Sequence, residues 1–493
     1  MVDLPSFSTY GLILEDAYKK LDDKIAQLQE RLCSLRTFRN SFAPISKIPR
    51  ELLSKVFSHT QEYSGLPLQD NMDVMTRFFV SWVSRDWRNT ALATPSLWTV
   101  ISNKNKKIPV QIDLAEALLI RSSNWSLSVD LFHPSPDVLH ACRSHMPRVQ
   151  HLRLLSSPLI EELDQLLTQP APLLTFLDLD GDLPTNPLLG VHPHLRFLKI
   201  SNTVIQKALP LIAPTITNLH MINPAQSIRV HHFVNALASL PNLSELVLVK
   251  CFLGEGPVDS RPEQISLLDL QVVSITDTHG YELFSFLGSF DIPQAAITVT
   301  WPEKGKVTVN VLQEFSASLN RYQGAIPFQT RHLEMKRGDP HFSLDISSGP
   351  MQHRCSLRFP EEDISEEEIG DLCEFLSFEG LQTLSTSTLP LYIVEHNLQN
   401  AGNIQRIEFH GQLPRELTWA LDLKRKVRFF STLKELVICD IGEETAARLR
   451  YLRKALADRR AAGFGLARLV FVKCRAVDAS QFEDVVDVVS VDD

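Results

Sequence analysis

Apolar positions recur with different periods in different parts of the chain. Near the N-terminus, Leu14, Tyr18, Leu21, Ile25, Leu28, Leu32 and Leu35 alternate spacings of four and three. That heptad seam predicts one amphipathic helix. Charged and amide residues such as Asp22, Lys24, Gln27 and Arg31 fill the positions between. About three heptads are marginal alone. The seam is therefore expected to pack back on its own protein, with a short self-associating coiled coil as the alternative.

A second helical region comes next. Pro49 suits a helix start, and Glu51 in the first turn favours the helix dipole. Leu52, Leu53, Val56 and Phe57 then make an apolar face. Beyond a loop with Gly65 and Pro67, a further helical stretch is predicted through DVMTRFFVSWVSRDWRNTAL (73–92). Phe79, Val80, Val83 and Trp87 recur in it at helical spacing. Thr94-Pro95 breaks the pattern ahead of SLWTVI (96–101).

From about residue 145 the period changes to apolar, two others, apolar, one other, apolar. It reads VQHLRL (149–154), LTFLDL (174–179), LRFLKI (195–200), ITNLHM (216–221), LSELVL (243–248) and LQVVSI (270–275). Later copies are QAAITV (294–299), TRHLEM (330–335), IQRIEF (404–409), LKELVI (433–438) and LARLVF (466–471). LQTLST (381–386) is degraded and CSLRF (355–359) partial. Prolines such as Pro147, Pro172, Pro193, Pro214 and Pro241 precede several copies and mark entry turns. Asn202, Asn223, Asp277, Asp440, Cys251 and Cys474 come just after them, where a short polar or thiol side chain can bond the turn backbone. Helical patterns lie between, so the unit is strand, turn, helix, at a spacing of roughly 21 to 36 residues. LWTVI (97–101) and SLSVDL (126–131) are candidate first rungs, and 300–380 is the poorest match.

The helical blocks resemble the F-box family, whose order is Pro-x-Glu-Leu-Leu-x-x-Val/Ile-Phe, then Val-x-x-x-Trp-Arg, then Pro-x-Leu-Trp. The matching residues are Pro49, Glu51, Leu52, Leu53, Val56 and Phe57, then Val83, Trp87 and Arg88, then Pro95, Leu97 and Trp98. Ser84-Arg85 stands where the family often has Cys-Lys, and the loop 64–71 is longer than the family's turn. With the recurring segments after them, the chain resembles fungal-type F-box receptors with C-terminal leucine-rich repeats. The resemblance implies an α/β chain: an N-terminal helix (1–43), a small all-α F-box module (44–101), an irregular leucine-rich-repeat solenoid (102–475, with a possible break or insertion at 300–380) and an acidic tail (476–493).

It also implies a substrate-recognition subunit of an SCF-type cullin–RING ubiquitin ligase. Pro49, Leu52, Leu53, Val56, Phe57, Val83, Trp87, Leu97 and Trp98 would dock a Skp-type adaptor on its cullin scaffold. So small a helical module cannot enclose all its large side chains, and Leu53, Phe57 and Trp87 are expected to be shared with the partner. The alternatives are a helical cap packing only on the rest of its own chain, and a leucine-rich-repeat interaction scaffold with a degenerate F-box. A protein substrate would lie on the outward side chains of the strands, which alternate with the core positions. Arg153, Asp178, Lys199, His220 and Glu408 are the candidates, in a row that continues through Val247, Ser274, Thr298, Glu334, Val437 and Val470.

Composition narrows the field. The 493 residues are 44% hydrophobic with a net charge of -9, which fits a globular chain and disfavours a general polyanion binder. The basic runs KNKK (104–107) and LKRKVR (423–428) lack interleaved aromatics, and the acidic run 361–371 reads as a solvated helix face. No nucleic-acid partner is expected. Seven dispersed cysteines form no CxxC pair, as in a reducing cytoplasmic or nuclear compartment. Neither a secretory signal nor a run of about 18 apolar residues is visible, so no membrane partner is expected. His140, Cys142, His145 and His151 fit no common metal spacing. With no nucleophile, phosphate-loop or dinucleotide motif, no catalytic residue, metal or cofactor is expected, and the chain is read as a non-enzyme.

Overall fold

A computed structural model describes residues 7–62, 71–103, 110–155, 160–183, 192–225, 230–251, 265–276, 290–291, 296–300, 331–338, 341–349, 352–360, 378–387, 398, 401–411, 413, 415–421, 430–441, 446–474 and 477–492. The basic runs 104–107 and 423–428, the acidic run 361–371, Asp277 and most of the loop 64–71 lie outside them. The chain divides into two compact units, Met1–Leu174 and Thr175–Asp493.

In the first unit the heptad stretch forms one helix, α1 (Phe7–Ser41). Helices α2 (Arg50–Glu62), α3 (Asn71–Trp82) and α4 (Arg85–Leu92) come after it. The single helical stretch expected over 73–92 is thus two helices. Ser84 sits in an extended conformation between them and its hydroxyl accepts from the Trp87 N–H at 3.2 Å, an N-cap that restarts the helix. A 3-10 turn, Pro95–Trp98, leads into β1 (Val100–Ser102). Next come α5 (Ile112–Arg121), β2 (Leu127–Phe132), α6 (Pro136–Arg143), β3 (Val149–Leu155) and α7 (Ile160–Leu167). The three strands run parallel, with Ile101 beside Val129 and Val129 beside Leu152. Helical crossovers supply the return path that parallel strands need.

The second unit holds β4 (Phe176–Asp180), β5 (Phe197–Ser201), β6 (Asn218–Ile222), β7 (Glu245–Val249), β8 (Val272–Thr276) and β9 (Ala296–Thr300). Each pairs in parallel with the next. Beyond them lie β10 (His332–Gly338), β11 (His341–Gly349) and β12 (Gln352–Pro360), and β13 (Thr383–Thr386), β14 (Arg406–His410), β15 (Glu435–Cys439), β16 (Arg468–Val472) and β17 (Val488–Asp492). Strand β9 pairs in parallel with β12, not with β10. Strands β12, β11 and β10 are antiparallel neighbours, and β10 resumes the parallel run with β13 through β17.

These pairings correct the expected fold class. Parallel strands β1 to β3 lie in the first unit and a mixed sheet of fourteen strands, β4 to β17, dominates the second, in place of a small all-α module and a leucine-rich-repeat solenoid. A strand–turn–helix unit yields only parallel neighbours, whereas two-residue links join β10 to β11 and β11 to β12 and force antiparallel pairing. The helical stretch is not a separate module either. Trp98, 1% exposed, stacks edge-on to Phe78 with centroids 5.9 Å apart, donates from Nε1 to the Ala91 carbonyl at 2.8 Å, and lies under the Arg121 guanidinium of α5. Buried Arg77 donates to the Val100 carbonyl of β1.

The core consists of apolar columns held in register across strands. Leu177, Leu198, Leu219, Leu246 and Val273 sit side by side, as do Leu179, Ile200, Met221, Leu248 and Ile275, and all are buried. Leu384, Ile407, Leu436 and Leu469 repeat the arrangement in β13 to β16. Strand ends share one turn. Asn202, Asn223, Lys250, Asp440 and Lys473 have positive φ, as do Gly181 and Gly411. The N–H of Asn202 bonds the Ile222 carbonyl, and that of Asn223 the Val249 carbonyl. Side-chain amides chain the turns together, Asn223 to Asn202 at 2.6 Å and Asn202 to Asp180 at 2.5 Å. The Cys251 and Cys474 thiols donate to the Met221 and Ile438 carbonyls, each at 3.3 Å. The thiols thus bond backbone as expected of Cys251 and Cys474, whereas the Asn202 and Asn223 amides bond neighbouring side chains instead of the turn backbone.

Truncating a column should therefore cost far more than truncating the opposite face. Leu219→Ala should lower unfolding free energy by about 2–5 kcal/mol and half-buried Val247→Ala by less than about 1.5 kcal/mol, read from guanidinium unfolding midpoints of the full chain.

Candidate functional site

Helices α2 to α4 and the turn after them divide their apolar residues. Leu53 and Phe57 of α2, with Leu97 and Trp98 of the 3-10 turn, close the interior, with Phe57 against the half-buried Trp87 ring at 5.1 Å. The Thr94 hydroxyl donates to Ser54 at 2.9 Å and Arg50 pairs with Asp86 at 2.8 Å, tying α2 to its neighbours. Leu52 and Val56, one turn apart on α2, are 51% and 52% exposed. At the end of α3, Phe79, Trp82 and Val83 are 48%, 64% and 58% exposed. Pro49 is exposed, and its carbonyl accepts the Leu52 and Leu53 N–H groups that begin the helix.

Leu53 and Phe57 are thus satisfied within their own unit instead of waiting for a partner. Among the described residues, the apolar side chains left exposed here are Leu52, Val56 and Val83, together with Phe79 and Trp82, whose rings meet edge-on at 5.7 Å and which are not among the docking residues the resemblance implies. Their signal in the sequence is the crowding itself: α2 carries apolar residues at i, i+1, i+4 and i+5, wider than one core-facing stripe.

The polar candidates lie in three places. Arg153 on β3 is 4.0 Å from Asp130 on β2, in the first unit. Asp178, Lys199 and His220 occupy matched positions on β4, β5 and β6 of the second unit. Lys199 Nζ is 3.5 Å from Asp178, and His220 Nε2 is 3.3 Å from Glu245. Asp178 is buried, not a solvated outward position. Phe176 stacks on Phe197 at 4.3 Å and Phe197 meets His220 edge-on at 4.8 Å, so rings line the neighbouring row. Burial pulls the His220 imidazole below its ordinary value, against the opposing pull of Glu245.

Glu408 stands ten strands from β4, within a separate network. Arg406 bonds it at 3.1 Å and Glu435 at 3.0 Å, while Arg468 reaches Glu435 at 3.6 Å. Ser385 joins Glu334 at 3.5 Å and His410 at 3.4 Å. Beside this network Val437, Cys439 and Val470 form a buried apolar cluster with Val472 packed on it. The face thus joins an ion-paired ladder to an apolar strip, a composition suited to a polypeptide.

Glu408, His410 and Cys439 also bring three metal-type donor atoms within 4.8 Å of one another. The chemistry of the set is unfavourable to a cation. Arg406 already holds one Glu408 oxygen and His410 the other. Burial, with the nearby Glu408 and Asp440 charges, pushes the Cys439 thiol up to about 11, so it is protonated at neutral pH. His140, Cys142, His145 and His151 form no donor cluster among the described residues, and burial raises the Cys142 thiol to about 12.

Comparison of the chain with known protein families and with curated proteins finds no match in either. Among the described residues, no helix is long and apolar enough to cross a membrane.

His151 and His220 both have imidazoles lowered by burial. The folded form keeps them neutral, while the unfolded chain takes up protons near pH 6.5. Their stabilisation is full above that pH and is lost as the pH falls through it towards the folded values. Urea midpoints should drop between pH 7.5 and 5.5, and His220→Gln should flatten the drop.

Proposed function

We propose that this chain is the substrate-recognition subunit of an SCF-type cullin–RING ubiquitin ligase. It docks a Skp-type adaptor through α2 to α4 and presents a protein target on the outward face of the sheet, in the cytosol or nucleus. The observation that carries the reading is the exposure of the apolar side chains Leu52, Val56, Phe79, Trp82 and Val83, set on the segment whose ordered blocks resemble the F-box. Apolar and aromatic residues gathered beside a closed core favour a protein partner.

The mechanism is proximity. The chain contributes no reacting group. It holds target lysines near a ubiquitin-charged enzyme carried by the cullin scaffold, raising their effective concentration. On the sheet face, paired side chains such as Arg406–Glu408 and Arg406–Glu435 offer fixed charges, and the adjoining apolar strip offers surface to bury.

The test is co-purification of the full chain with a purified Skp-type adaptor. The native chain should retain it. Leu52→Asp with Val56→Asp should abolish retention while the unfolding free energy stays within about 1 kcal/mol of the native value, because both side chains are exposed. Leu53→Ala with Phe57→Ala is the poorer probe, since it opens the core and should cost roughly 5 kcal/mol or more. A folded native chain that fails to retain the adaptor would leave an interaction scaffold as the reading.

A further inference from the structure

The expectation that the α1 seam packs back on its own protein is not met. Leu14, Tyr18, Leu21, Ile25, Leu28, Leu32 and Leu35 are each 48% to 63% exposed, so the apolar stripe has no cover within the described residues. Phe38, at 65%, extends it. We propose that this stripe is the interface with a second copy of the chain, and that the two α1 helices pack antiparallel.

The heptad assigns the positions. Leu14, Leu21, Leu28 and Leu35 fall at d, and Tyr18, Ile25, Leu32 and Arg39 at a. The e positions are Glu15, Asp22, Gln29 and Arg36; the g positions are Ala17, Lys24, Arg31 and Phe38. In a coiled coil the a and d side chains form the seam, and e and g set partner and orientation.

A parallel pair sets each g residue against the e residue five places on in its partner. Arg31 then faces Arg36 on both sides, Lys24 faces Gln29, Ala17 faces Asp22, and Arg39 meets Arg39 inside the seam. No attractive ion pair forms. An antiparallel pair sets a against d. Tyr18 then packs on Leu35 of the second copy, Ile25 on Leu28, Leu32 on Leu21, and Arg39 on Leu14. Glu15 faces Arg36 of the second copy at both ends, and Phe38 lies against small Ala17. Lys24 opposes Arg31, at the margin of the seam and not within it. Charge and side-chain size both select the antiparallel pair. The overlap from Leu14 to Arg39 is about 39 Å long at 1.5 Å per residue, longer than the minimum for a marginal helix in water.

Sedimentation equilibrium of the full chain tests both parts. The chain should be a dimer at micromolar concentration. Ile25→Asp with Leu28→Asp should make it monomeric while the unfolding midpoint of the rest of the chain is unchanged. Arg36→Glu should weaken the dimer roughly tenfold by replacing two attractive contacts with repulsive ones. Glu15→Arg added to Arg36→Glu should restore it. A monomeric native chain, or a dimer indifferent to the Ile25 and Leu28 changes, would overturn the proposal. So would a dimer strengthened by Arg36→Glu, the response of a parallel pair relieved of Arg31 against Arg36. None of these measurements involves the adaptor, so their failure leaves the ligase reading standing.

Discussion

Register is the constraint on which the rest of this structure depends. A strand's side chains alternate faces, so a slip of one residue between neighbours would carry every core leucine to the other face. In the second unit, Leu177, Leu198, Leu219 and Leu246 hold the same place on successive strands, and everything else rests on that alignment. The left-handed turn residues end strands at a common level. The Asn223–Asn202–Asp180 relay pins those ends. On the opposite face the same alignment sets Asp178 beside Lys199 and Arg406 beside Glu435, so the polar ladder is a by-product of the apolar columns. Where two-residue links join β10, β11 and β12, the direction reverses but the columns persist: Leu333 faces Ile346, and Leu344 faces Leu357.

Uncovered surface matters as much as register. Three helices around Phe57 and Trp98 have interior space for only part of their apolar content. Leu52, Val56, Phe79, Trp82 and Val83 remain outside. Among the described residues nothing covers the α1 seam from Leu14 to Leu35, which faces outward. Both features are more costly to leave in water than to cover. They ask for different occupants. The exposed residues of α2 and α3 combine aliphatic side chains with the Phe79–Trp82 ring pair, whereas the α1 seam has the repeat and charge order of a self-complementary helix.

Much of this was legible in the sequence, and the limits have physical causes. The apolar triplets coincide with β3 to β10 and with β12 to β16, because a core column demands the same side chains on every strand. The turn positions at Asn202, Asn223 and Asp440 were legible as short polar residues after each triplet, but their left-handed backbone was not, since Lys250 and Lys473 adopt it as well. Strand direction was not. His341–Gly349 alternates as an antiparallel strand does and equally as a parallel one, and the short links beside it were the only cue. The break at Ser84 rests on one capping hydroxyl. For the candidate site, the sequence points to the residues but not to their division into buried and exposed, since Leu52 and Leu53 are alike in chemistry and differ only by about 100° of helix rotation. Asp178 reads in the sequence as an open position, because a single strand does not reveal its burial beside Lys199 of the neighbouring strand.

The central claim is that the open apolar surface of α2 and α3 receives a Skp-type adaptor. The most direct measurement is amide hydrogen exchange of the full chain with and without purified adaptor. Slowed exchange confined to residues 44–62 and 77–92, with the strands unaffected, is the predicted result. Unchanged exchange across those helices, or protection appearing on the sheet instead, would contradict it.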